Sequence, residues 1–193
     1  MRTTAQRSPL RKIEKISRPL SFLAGAYGDI FFVGNTWFGA LILCCTFLVP
    51  NIGAHGLLAG LCALGILRAV NPTLQDSIFA RVAVCNSILL GLYFGSLFKL
   101  SPAGLMVLFV ATPGILAVTG PVMNVLARRG LPALSLPFSI VGVVTFLWGS
   151  SIASLVNYKP YLLQNPFPPA VFFGWEALSA LIRTLGSIIF LPG

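Results

Sequence analysis

The sequence predicts an all-α polytopic membrane protein with five transmembrane helices and one re-entrant half-helix. Three observations predict it. Of the 193 residues, 56% are hydrophobic and only 9% charged, and the mean hydropathy of +0.91 lies far above that of soluble domains. The apolar residues fall in long runs separated by Pro, Gly, Asn and charge. Basic residues gather at particular separations, as topology determinants do. In lipid every backbone polar group needs an internal partner, so such runs become helices.

Charge comes first in chain order. Lys and Arg number 13 against 4 Asp and Glu, and Arg2, Arg7, Arg11, Lys12, Lys15 and Arg18 all precede the first apolar run. Residues 1–19 therefore read as a basic cytoplasmic terminus against anionic lipid heads, not as a nucleic-acid surface. No small-residue cleavage site follows Arg18, so a cleavable signal does not fit. The first run, 20–33, reaches only about 21 Å as a helix, against a hydrocarbon core of about 30 Å. It reads as the re-entrant half-helix.

Spans follow at about 37–49, 54–70, 78–97, 103–127 and 136–156. With the amino terminus inside and 20–33 returning to its own side, Arg68, Arg81, Arg128 and Arg129 lie inside, and Lys99 and Lys159 outside. Counting 20–33 as a full span reverses this, so the positive-inside rule favours re-entry. Residues 157–177 form a Pro-rich linker containing "NYKPYLLQNPFPP".

The run at 178–193 repeats the first one. "LSFLAGAYGDIFFVGN" (20–35) aligns without gaps on "LSALIRTLGSIIFLPG" (178–193), with identities at Leu20/Leu178, Ser21/Ser179, Leu23/Leu181, Gly28/Gly186, Ile30/Ile188 and Phe32/Phe190, and with Ser187 answering Asp29. A repeat restarting after an odd number of spans is inverted in the membrane, which places a substrate path at the repeat interface. Two readings stay open: a fragment of a longer protein, or a half-size protein that pairs with another copy.

Three stretches carry a family resemblance. "GLPALSLPF" (130–138) resembles the urea transporter signature of Gly-Leu-Pro, a short spacer, Thr or Ser, one residue, and Pro-Phe. "GAYGDIFFVGNTWFGALIL" (25–43) is similar to the opening of that family's repeat. "QDSIFARVAVCNSILLG" (75–91) stands where the family has Gly-Leu-Tyr-Gly-Tyr-Asn-Gly, keeping Asn86 and Gly91 and losing the other glycines and the tyrosines.

The resemblance implies a passive urea channel of two inverted halves, assembled as a homo-oligomer, either a trimer or a dimer of halves. Its partners are urea or a similar small neutral solute and membrane lipids. The substrate path it implies comprises Asp29, Ile30, Phe32, Asn86, Leu131, Pro132, Ser135, Pro137, Phe138 and Ser187. Urea is planar, neutral and rich in N–H donors, so a selective path needs aligned acceptors between flat apolar walls. Pro132 and Pro137 lack N–H groups and release nearby carbonyls, and Ser135 adds a hydroxyl. The alternative reading of this stretch is a plain helix entry, with Ser135 as its cap and Pro137 in the first turn.

Asp29 is an acid inside an apolar run, which marks a candidate site. The resemblance implies a Gln or Glu there. A shorter acid fits two states: protonated if buried, or ionised and favouring a cation such as ammonium. Asn86, in mid-span, fits a bond either to a neighbouring helix or to the path. Cys44, Cys45, Cys62 and Cys85 sit in apolar runs and read as packing, and His55 has no second ligand near it in sequence. No cofactor, metal set or catalytic constellation is indicated, so the chain does not read as an enzyme. The competing function is a membrane protein of the same fold without transport, or a channel for ammonia or water.

Overall fold

In a computed structural model, residues 9–71 and 77–156 are described; they form six α-helices and no strands. These are α1 (Pro9–Asp29), α2 (Thr36–Thr46), α3 (Pro50–Val70), α4 (Ile78–Leu97), α5 (Pro102–Ala127) and α6 (Leu136–Val156). The linker 157–177, the second repeat 178–193 with Ser187, and residues 1–8 lie outside the described residues.

Local chemistry sets the starts. Asn35 caps α2, its Oδ1 accepting from the N–H groups of Trp37 (2.8 Å) and Phe38 (3.4 Å). Ser77 and Ser101 cap α4 and α5 through the N–H groups of Ala80 and Gly104, both at 3.1 Å. Pro50 and Pro102 occupy first-turn positions, where a missing N–H costs nothing.

α1 and α2 differ most from the hydropathy reading. α1 starts at Pro9, inside the basic segment, because Lys and Arg end an apolar run without ending a helix. It stops at Asp29, so Ile30–Phe32 turn rather than continue. α2 has 11 residues, about 17 Å, which is too short to cross a bilayer. Residues 47–49, expected to extend it, instead form turns, with Phe47 N–H bonded to Cys44 O and Leu48 N–H to Cys45 O, both at 3.1 Å. Among the described residues, α3, α4 and α5 are long and apolar enough to cross a membrane.

α4 is the central element. One buried cluster joins Leu23 and Tyr27 of α1 and Leu67 of α3 to Val84 and Ile88 of α4. A second joins Phe94 and Leu90 of α4 to Leu108 and Ile115 of α5 and Val141 of α6. Between α3 and α4 the backbones nearly touch. A Cβ at Gly91 would meet His55 O at 2.3 Å, and one at Gly95 would meet Ile52 Cα at 2.6 Å. Such close approach supplies the dispersion that holds helices together where the surroundings are as apolar as the helices themselves.

Asn51 then fastens the far end of the pair. Its Nδ2 donates to the carbonyls of Gly95 and Phe98, and its Oδ1 accepts from Leu100 N–H at 2.8 Å. The buried hydroxyls of Thr112, Thr119 and Ser87 are satisfied within one turn, donating to the carbonyls of Leu108, Ile115 and Ala83.

α1 and α2 cross as tightly. A Cβ on Gly39 would run into Ala24 O and lie 2.7 Å from Gly28 N. The outer faces carry exposed apolar side chains such as Trp37, Ile78 and Met106, as suits lipid contact.

Candidate functional site

The site is built outward from α4, which presents Arg81 and Asn86 about 7.5 Å apart along its axis. Asn86 is 1% exposed and uses its whole amide. Its Nδ2 donates to Val82 O (2.8 Å) and to Leu134 O (2.9 Å), and its Oδ1 accepts from Phe138 N–H (2.9 Å). One bond belongs to its own helix. The other two hold both sides of the Gly130–Phe138 stretch.

That stretch follows α5 through a Schellman turn. Leu131 N–H reaches back to Leu126 O and Gly130 N–H to Ala127 O, both at 3.0 Å, with Gly130 at φ 68°. Leu131, Pro132, Leu134 and Ser135 are exposed, whereas Ala133 and Pro137 are buried. Leu134 has φ 41°, a left-handed backbone that a branched side chain rarely adopts. Its carbonyl is the one Asn86 holds, so the tether maintains the strained residue.

Ser135 directly precedes α6, and its carbonyl accepts the first helical bond, from Ser139 N–H at 3.0 Å. Pro137 is the second residue of α6, so the helix-entry reading describes the backbone here. The exposed face of the same stretch keeps the path reading open. Phe138, half-buried, meets Tyr93 edge-on with ring centroids 6.0 Å apart.

The second part of the site is the end of α1. Phe32 N–H bonds to Asp29 O (3.0 Å) and Val33 N–H to Gly28 O (3.1 Å), again the Schellman pattern. The left-handed position is filled by Phe32, at φ 59° and 77% exposed. Phe31 packs edge-on against Phe38, and Ile30 packs on the first buried cluster.

Asp29 is partnered by Arg81. Arg81 Nε lies 3.1 Å from Oδ2 and Nη2 lies 2.9 Å from Oδ1, the two-pronged geometry of an ionised carboxylate with a guanidinium.

α4 thus brings Asp29 and Phe32 to its first turn through Arg81, and brings the stretch 131–138 to its middle through Asn86. Arg81 and Tyr93 are absent from the site read in the sequence. An available signal for Arg81 was the rule that an acid in an apolar run needs a cation. Among the described residues no three of His, Cys, Asp and Glu gather as a metal set.

The family model of the urea transporters matches residues 20–193. The chain belongs to the urea transporter family. Urea transporters are membrane channels rather than enzymes, and the matched span contains both parts of the site in this family member. A comparison with curated proteins gave no match.

Proposed function

We propose that this protein is a passive channel for urea or a similar small planar amide across the cell membrane, multi-pass and with a cytoplasmic amino terminus. The observation that carries the reading is the tether of the 130–138 stretch, in which buried Asn86 fixes an exposed, strained loop at the mid-point of a central helix. Strain maintained by a dedicated tether is the mark of a backbone positioned for use. The carbonyl of Leu134 keeps a second acceptor position beyond the one Asn86 occupies, and Ser135 sits beside it. Phe32 and Phe138 supply flat apolar walls.

In this reading 20–156 form one half of an inverted pair. A homo-oligomer, either a trimer or a dimer of halves, completes the assembly. The test is stopped-flow light scattering on proteoliposomes under an inward urea gradient. Urea permeability well above that of protein-free vesicles is expected; equal permeability overturns the proposal.

A second reading, the same fold without transport, is favoured by one observation. Asp29, which closes α1 and so stands at the mouth of the proposed path, has both carboxylate oxygens engaged by Arg81. It predicts a stable, reconstituted protein with no urea, ammonia or water flux.

A further inference from the structure

The geometry points to Arg81 as a specificity-determining residue: by forking onto Asp29 it removes the negative charge from the mouth of the path, which then admits a neutral planar amide and rejects a planar cation of the same shape. This rests on the channel reading above.

Asp29 is the last residue of α1 and Arg81 lies one turn into α4. Helix carboxyl ends carry partial negative charge and amino ends partial positive charge, so each residue stands at the electrostatically unfavourable end of its own helix. Neither position is explained by its own helix. Both are explained by the pair.

The pair is not a hidden structural bridge either. Its side chains are 48% (Arg81) and 25% (Asp29) accessible, and ion pairs of such exposure contribute little to folding. What the fork does fix is local. Asp29 is held through both oxygens, and its own carbonyl accepts the N–H of Phe32, the exposed aromatic in the left-handed turn.

The contribution of Arg81 is therefore twofold. Without it, Asp29 would add a full negative charge to the partial charge of the α1 end, and together they would attract cations. With it, the mouth is neutral and the turn carrying Phe32 is anchored.

Guanidinium is the suitable probe, because it shares the flat, three-armed shape of urea and differs by one charge. Binding of guanidinium at low millimolar concentration is measured by calorimetry on detergent-purified protein, and urea and guanidinium fluxes are measured in proteoliposomes. Arg81→Gln is expected to bind guanidinium at least about tenfold more tightly than wild type, the equivalent of about 1.4 kcal/mol. Asp29→Asn, which leaves Arg81 unpaired, is expected to bind it more weakly than wild type. The double variant Asp29→Asn/Arg81→Gln, neutral at both positions, returns to the wild-type affinity.

Equal guanidinium affinity in wild type and Arg81→Gln overturns the inference. So does a series in which melting temperatures change and guanidinium affinities do not, since that is the behaviour of a merely structural pair. Should Arg81→Gln fail to fold, the ordering of Asp29→Asn below the double variant carries the same test. A wild type that passes no urea but gains guanidinium binding on Arg81→Gln refutes the channel reading and leaves the charge compensation standing.

Discussion

Helices α1 and α5 end in the same backbone motif, yet their left-handed positions are filled by residues that differ as much as two residues can. In α5 the position is Gly130, with open space around it and no steric cost to its positive φ. In α1 it is Phe32, whose Cβ makes the same conformation costly and whose ring is left exposed. The Gly130 end simply turns the chain. The Phe32 end holds an aromatic ring in a set place, and it carries an ion pair one turn back. Beyond each end stands a clamp from α4, Asn86 for the loop after Gly130 and Arg81 for the turn of Phe32.

The largest effect is expected from breaking the Asn86 clamp. Asn86→Ala removes the part-buried bonds to Leu134 O and Phe138 N–H, at about 0.5–1.5 kcal/mol for each hydrogen bond lost. Urea flux should fall at least about tenfold, and the melting temperature in detergent should drop. Asn86→Asp keeps the acceptor for Phe138 but loses both donated bonds, so it should restore little; full flux in that variant would show that the loop does not need the tether.

Next is the crossing that sets the α1 end. Gly39→Ala drives a methyl into the Ala24 carbonyl and should cost about 1–3 kcal/mol by overpacking, read as a lower melting temperature. An unchanged melting temperature would mean that α1 and α2 separate freely.

Smaller effects separate the two turns themselves. Gly130→Ala should lose about 1 kcal/mol from backbone strain alone, since the site is roomy. Phe32→Gly should do the opposite, raising stability by up to about 1 kcal/mol while urea discrimination against bulkier amides declines. If Phe32→Gly melts lower than wild type, the ring is a packing element and the contrast between the two ends fails.

Much of the helical layout is legible without coordinates. α4 and α6 cover the residues that hydropathy marks as apolar, and the starts of α3 and α5 differ from it by a few residues at Pro50 and Pro102, where proline opens a helix. α1 is less legible, because Lys and Arg interrupt the apolar pattern of a helix that is already under way at Pro9. The site is legible in parts. Asn86, Asp29 and the 130–138 stretch stand out as polar groups or prolines in an apolar chain. The bonds joining them do not, because Asp29–Arg81 and Asn86–Phe138 each link residues 52 apart. No local pattern encodes which pairs meet. Nor does a Phe announce that its backbone will take glycine's conformation.

The Asn86 tether also orders events in time. Its partners Leu134 and Phe138 leave the ribosome 48 and 52 residues after it, so for that interval the amide has the Val82 carbonyl of its own helix and nothing from α6. An unfinished chain therefore carries a polar debt in its central helix. It is discharged only when α6 arrives in the correct register, and a slip of a single residue there would be felt at Asn86.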